Sequence, residues 1–261
     1  MKNKLLIISA LSGFIFLSSF LLKQDKKTTL FLIGDSTVKN GKGDGSNGLW
    51  GWGSVIEPYF NTAKITVEND ALGGTSSRTF QTQGLWDKVL EKIQPGDFVM
   101  MQFGHNDSSP LDDTARARGT IKGIGDESKD IYNPITKKQE TVHTYGWYMA
   151  KFVTDAKAKG ATVIICSPIP RNDWANGKVK RNNGDNYGGW SKQVAAKTGV
   201  FFIDLNGIIA DEYDKMGADA VKPFFPQEHT HTGNEGAELN ALSVVKGLKM
   251  IPECKLNAYL K

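Results

Sequence analysis

Two short polar stretches in this chain carry the residue types of acyl-transfer chemistry. Gly34-Asp35-Ser36-Thr37 presents the hydroxyl of Ser36 directly after the apolar run Thr29 to Ile33. A serine hydroxyl is a poor nucleophile at neutral pH, so it needs a base to take its proton and, usually, an acid to hold that base in the right tautomer. Glu228 and His231, three residues apart in Glu-His-Thr-His, supply such a pair. Carboxylate-x-x-His in a loop entering a helix can put both side chains on one side of a single turn. The chain holds four histidines, so His105, His143 and His229 stand as alternatives to His231. His105 reads as orienting the loop around Asn106, His143 as a surface residue in an irregular stretch, and His229 as facing outward.

Other side chains suit ligand contact. Arg78 could hold an anionic ligand, an acidic sugar among them, through a bidentate pair, and equally could form a structural salt bridge. Trp50, Trp52, Trp147 and Trp174 could stack on sugar faces, although Trp147 falls in a helical pattern typical of core residues. Asp35 reads as structural, its carboxylate accepting N–H groups of its own turn. The histidines have no cysteine or carboxylate partners at zinc-site spacing, and acyl transfer by a serine needs no cofactor, so no metal and no cofactor are expected. The Gly-rich segment 40–48 lacks the Lys-Ser/Thr ending of a phosphate-binding loop.

The elements that must position these groups follow from periodicity. Thr29–Ile33, Lys64–Asn69, Asp97–Phe103, Ala161–Cys166 and Val200–Asp204 read as five strands, the first three ending in Gly-containing polar turns. Helical patterns lie between them, near 53–60, 85–93, 145–159, 190–198, 207–216 and 234–248. Strands alternating with helices predict an α/β fold, a three-layer α/β/α sandwich on a five-stranded parallel sheet. Ligands of such sheets bind beyond the carboxyl ends of the strands, where Ser36, Gly73-Gly74 and Asn106 would gather. Residues 108–143 show little periodicity and read as one long excursion.

Composition sets the remaining bounds. The chain has 261 residues, 39% hydrophobic and 23% charged, enough for one well-filled domain over 25–261. Residues 1–24 begin with Lys2 and Lys4 and continue as the apolar run Leu5 to Leu22, the make-up of an export signal or an N-terminal anchor. Either leaves the rest of the chain secreted, periplasmic or at the cell surface, with the membrane touched only through an uncleaved leader. Removing those two lysines leaves 30 basic against 28 acidic residues with no basic cluster, which gives nucleic-acid binding no support. Cys166 and Cys254 form no disulfide framework and read as two buried thiols.

Gly34-Asp35-Ser36-Thr37, Asn69-Asp70 with Gly73-Gly74, Gly104-His105-Asn106-Asp107 and the terminal His-Thr-His-Thr resemble, in order, the blocks of the SGNH (GDSL-like) hydrolase superfamily. Gly119 to Gly125, Tyr145-Gly146-Trp147-Tyr148 and the Gly-rich Trp segment after Ser36 are most similar to its rhamnogalacturonan acetylesterases. The likeness covers nearly the whole chain after the leader, and it implies a flavodoxin-like fold. It implies Ser36 as nucleophile and His231 as base. It also implies an oxyanion hole made of the Ser36 N–H, the Gly74 N–H and the Asn106 side-chain amide. Family members usually carry Asp where this chain has Glu228, one torsion longer. The resemblance implies an esterase removing acetyl groups from acetylated rhamnogalacturonan, an acidic polysaccharide. The alternatives are a lipase or thioesterase of the same chemistry, a non-catalytic carbohydrate-binding protein on the same scaffold, and an FMN-binding electron carrier, which the Gly-Asp-Ser turn disfavours.

Overall fold

The computed structural model describes residues 27–261, so the expected leader or anchor at 1–24 lies outside the described residues. Strand β1 (Thr28–Gly34) is the axis of the fold. Its run Leu30-Phe31-Leu32-Ile33 is apolar at every position rather than alternately, the pattern of a strand covered on both faces, and all four side chains are buried. Leu30 and Leu32 join one hydrophobic cluster, and Phe31 and Ile33 join another.

In chain order the further strands are β2 (Ile65–Asn69), β3 (Phe98–Gln102), β4 (Ser128–Asn133), β5 (Lys138–His143), β6 (Thr162–Cys166), β7 (Trp174–Ala175), β8 (Lys178–Val179) and β9 (Phe201–Ile203). Five of them form one sheet in the order β2-β1-β3-β6-β9, every neighbouring pair parallel. The direction of growth reverses between β1 and β3, which places the ligand crevice of such a sheet at their carboxyl ends. Helices α1 (Ser77–Thr82), α2 (Leu85–Lys92), α3 (Tyr145–Ala158) and α4 (Tyr187–Thr198) cover the Phe31 face. Helices α5 (Leu205–Met216), α6 (Ala218–Val221) and α7 (Asn234–Lys249) cover the Leu30 face. The result is the expected α/β/α sandwich with flavodoxin-like strand order. On the first face Phe152 stacks on Phe103 with centroids 5.4 Å apart and meets the edges of Phe80 and Trp86.

Two local expectations change, and one short helix is unforeseen. Residues 53–60 form two single 3-10 turns, Trp52–Ser54 and Glu57–Tyr59, because Pro58 removes a donor the longer helix would need. The excursion 108–143 contains the antiparallel hairpin β4–β5, whose mostly exposed, charged strands give no alternation to find. Helix α1 begins directly after the Gly73-Gly74 turn. A reciprocal cap fixes it: Ser76 Oγ accepts Thr79 N–H at 3.1 Å, and Thr79 Oγ1 accepts Ser76 N–H at 2.8 Å.

Candidate active site

The turn after β1 is built to hold Ser36 out of the sheet. Asp35 is fully buried, and its Oδ1 accepts both the N–H and the hydroxyl of Thr37 at 2.9 and 2.7 Å, while its carbonyl accepts Val38 and Lys39 N–H. With those neighbours turned inward, Ser36 is left half-exposed, its Oγ 2.7 Å from His231 Nε2. The loop bringing His231 across 195 positions of sequence is tied on both sides. Trp50 N–H donates to Thr232 O at 2.8 Å and the Thr232 hydroxyl to Trp50 O at 3.0 Å, so the residue pair straddling the Gly-rich segment and the histidine loop forms a short bridge. On the far side Asn172 N–H donates to His229 O at 2.8 Å.

Glu228 does more than orient the ring. Its Oε1 accepts both His231 N–H and His231 Nδ1–H at 2.7 Å, and its Oε2 accepts Thr230 N–H at 2.9 Å. The extra methylene lets the carboxylate fold back and cap its own turn while still reaching the imidazole. Partial burial pushes its carboxyl up, but the two backbone donors and the imidazole outweigh that and hold it below the ordinary value. Nδ1 carries a hydrogen in this arrangement, which leaves Nε2 as an acceptor for the Ser36 proton.

The other two blocks meet beside the serine. Gly74 has φ +85°, a conformation a side chain would strain, and its carbonyl accepts from Arg118 Nη1 at 2.9 Å. Asn106 is 8% exposed, and its amide donates to Thr75 O at 2.7 Å, leaving its second amide hydrogen uncommitted. The Gly74 and Asn106 turns are clamped together by Asp107, whose Oδ1 accepts the N–H and hydroxyl of Ser77 at the start of α1. Burial raises the Asp107 carboxyl to about 7 and lowers neighbouring His105 to about 4, so His105 is neutral at physiological pH. Ser36, Gly74, Asn106 and His231 all line one cleft of about 690 Å³, with Leu49 and Leu72 as its apolar wall.

Several sequence expectations need correction. Arg78 cannot reach a sugar: its side chain is fully buried, clamped bidentately by Glu140 at 2.7 and 2.8 Å, and bonded to the carbonyls of Leu111 and Gly119. Of the two alternatives weighed for it, the salt bridge holds. None of the four tryptophans lines the Ser36 cleft. Trp52 is buried with its indole N–H on Gln102 Oε1. The glycine loop lies flat on Trp50, where a Cβ at Gly45 would come within 2.2 Å of the ring. Trp147 stacks on His143 at 3.9 Å, so His143 is half-buried at the end of β5 rather than in a surface loop. His229 is 56% exposed, as expected, and its Nδ1 stays 3.8 Å from Glu228. Cys166 and Cys254 are free and buried. Among the described residues no cluster of His, Cys, Asp or Glu could hold a metal ion. Two cleft residues, Arg116 and Arg118, escaped the sequence reading because nothing in the irregular excursion marks which of its charges turn inward.

A serine, an imidazole and a carboxylate hydrogen-bonded in series at the crevice of a doubly wound sheet define a serine hydrolase of the α/β class. Residues 32–239 match the GDSL-like Lipase/Acylhydrolase family, and the chain belongs to that family. It is 31% identical over 221 residues to a rhamnogalacturonan acetylesterase of Emericella nidulans, covering 84% of each chain. It is 28% identical to the rhamnogalacturonan acetylesterase RhgT of Bacillus subtilis, covering 86% of this chain and 90% of that one. Among solved structures, the Bacillus subtilis protein YxiM is similar in fold, with a TM-score of 0.70 at 24% identity over 87% of this chain and 58% of its own. The chain is a carboxylic ester hydrolase.

Proposed function

We propose that this esterase removes acetyl groups from a pectic polysaccharide of the rhamnogalacturonan type through an acetyl-enzyme on Ser36. The observation that carries the chemistry is the pair of 2.7 Å contacts, Ser36 Oγ to His231 Nε2 and His231 Nδ1 to Glu228. The names of the two relatives support the substrate. In the first half-reaction Ser36 Oγ attacks the acetyl carbonyl carbon while His231 Nε2 takes its proton. The carbonyl oxygen becomes an oxyanion held by the Ser36 and Gly74 N–H groups and the Asn106 amide. The ester C–O bond then breaks, and His231 returns the proton to the departing sugar oxygen. Water repeats the sequence on the acetyl-serine and leaves as acetate, with Ser36 restored.

The cleft favours this reading over a lipase. Its walls are glycine, asparagine and arginine with only two leucines, a poor lining for a long acyl chain and a good one for a hydrated saccharide carrying a short ester. The basic, apolar composition of residues 1–24 supports export of the domain that follows. The test is acetate release from acetylated rhamnogalacturonan, compared with acetylated xylan and phenyl acetate. Faster turnover of the xylan would overturn the substrate, and full activity in Ser36→Ala would overturn the nucleophile.

A further inference from the structure

The loop between β3 and β4 places two guanidinium groups at the Ser36 cleft with no carboxylate lining it. Arg116 and Arg118 line the Ser36 cleft and a second cleft of about 260 Å³ that continues past Gly74, and neither cleft has an acidic lining residue. Both converge on one point: a Cβ at Gly74 would be 3.1 Å from Arg116 Nη1 and 3.9 Å from Arg118 Nη1. The Arg116 side chain is exposed and makes no hydrogen bond or ion pair with any described residue. Arg118 uses two donors, on Gly74 O and Ser109 Oγ, and keeps the rest. The nearest acid on the loop, Asp113, is committed to the backbone N–H groups of Ala115, Arg116 and Ala117.

This arrangement is unfavourable for the empty protein. Two like charges share a corner, and burial together with the neighbouring Arg116 charge lowers Arg118 below the usual guanidinium value. Ala117 between them is held at φ +43°, a left-handed conformation that costs about 1–2 kcal/mol in a residue with a side chain. Its methyl group is buried, so the strained turn directs the side chains on either side of it toward the clefts. An arginine pair without a carboxylate partner beside Ser36 matches a planar anion better than it matches water.

We propose that Arg116 and Arg118 form a carboxylate subsite that binds a uronic acid on, or next to, the acetylated sugar. This rests on the reading of the substrate as an acidic polysaccharide. Arg116 supplies the recognition. Arg118 is shared between the anion and the carbonyl of Gly74, the residue whose N–H is assigned to the oxyanion, so binding the carboxylate also steadies the turn on the oxyanion side of the site.

Two measurements test it. The first compares an acetylated galacturonate-containing oligosaccharide, the same oligosaccharide with its carboxyl groups methyl-esterified, and phenyl acetate as a neutral reference. Arg116→Gln is expected to raise KM for the acidic saccharide about tenfold, with kcat, the methyl ester and phenyl acetate unchanged, and Arg116→Lys to recover part of the loss. An unchanged KM for the acidic saccharide in Arg116→Gln overturns the proposal. The second needs no variant: unacetylated galacturonate oligosaccharide should inhibit phenyl acetate hydrolysis by the intact enzyme at roughly tenfold lower concentration than its methyl ester, a difference that fades in about 0.5 M salt. Equal inhibition by the two overturns the proposal whatever the variants do. Wild-type enzyme that turns over phenyl acetate but neither saccharide overturns the substrate reading itself, whereas equal deacetylation of both saccharides overturns only the arginine subsite.

Discussion

Replacing Glu228 by glutamine keeps the length and shape of the side chain and removes its charge. Three N–H groups point at the native carboxylate: Thr230 N–H onto Oε2, and His231 N–H and Nδ1–H together onto Oε1. Glutamine has one acceptor oxygen and must choose. With that oxygen in the Oε1 position two donors remain served, Nδ1 keeps its hydrogen, and Nε2 can still accept from Ser36, while the amide NH2 opposes Thr230 N–H. With the oxygen in the Oε2 position only one donor is served. The NH2 then opposes His231 N–H and donates to Nδ1, fixing the tautomer whose Nε2–H cannot take a proton. The first arrangement wins by count.

The loss is therefore that of exchanging a charge-assisted bond for a neutral one. The lower end of the usual range applies because the Glu228 side chain is 42% exposed, which gives about 1.5 kcal/mol, or roughly tenfold in kcat. KM should not change, since Glu228 does not line the cleft. The assay is steady-state hydrolysis of phenyl acetate and of an acetylated oligosaccharide. Because the native carboxyl is held below its ordinary value, its support for His231 is present above that value and is lost only as pH falls through the folded one. The charge of Glu228, and with it this contribution to the imidazole, should thus not vary between about pH 6 and about pH 9. Activity within twofold of wild type would refute the idea that this charge supports the imidazole. A fall of about 10⁴ would show that the wrong tautomer had prevailed.

Asn106→Ala removes a donor from the oxyanion side and is expected to lower kcat by about 10² to 10³ with little change in KM; a loss confined to KM would remove Asn106 from that role. Arg78→Ala leaves Glu140 unpaired against the interior and is expected to cost about 3–5 kcal/mol, a midpoint lower by roughly 10 °C in thermal unfolding, and a cost below about 1 kcal/mol would contradict the buried clamp. Asp107, raised by burial to about 7, binds more protons folded than unfolded between its ordinary value and that point, so it lowers stability as pH rises through that window. His105, lowered to about 4, gives the opposite slope up to its ordinary value. The difference between wild type and Asp107→Asn in denaturant unfolding should therefore shift in the variant's favour from about pH 4 to about pH 7. A difference independent of pH would contradict the raised value.

The sheet and the hydrogen-bonded pair of Glu228 and His231 were legible because their signals are local and repeated. The strands are short apolar or alternating runs, the first three closed by polar turns, and Glu228 and His231 lie three positions apart. Arg78 misled because its sequence surroundings, a polar turn after paired glycines, match those of a ligand contact, while the partners that bury it lie 33 to 62 residues away. The hairpin β4–β5 was hidden because its strands face water on most positions. The small hairpin β7–β8 had a usable signal that the reading passed over: Asn176-Gly177, both at positive φ, is a favoured two-residue turn. The tryptophans were misplaced for a different reason, since type and exposure cannot distinguish a sugar platform from a lid closed over by its own glycine loop.

The buried Arg78 clamp gains meaning once the cleft arginines are considered with it. Its Nη1 bonds the carbonyls of Leu111 and Gly119, one residue inside the closing contact of Pro110 O with Gly119 N–H, so one guanidinium grips both ends of the loop that carries Arg116 and Arg118. The same short helix, α1, holds the Asn106 turn through Ser77 and Asp107, and follows Gly74 by three residues. The turns of Gly74 and Asn106 and the loop of Arg116 and Arg118 therefore share one support, and on the proposed roles weakening it should disturb both at once. A milder substitution, Glu140→Gln, loosens the clamp without removing it. If the two functions are mounted together, that variant should raise KM for the acidic saccharide and lower kcat on phenyl acetate in parallel. A change in one without the other would mean that the loop and the oxyanion turn are held separately.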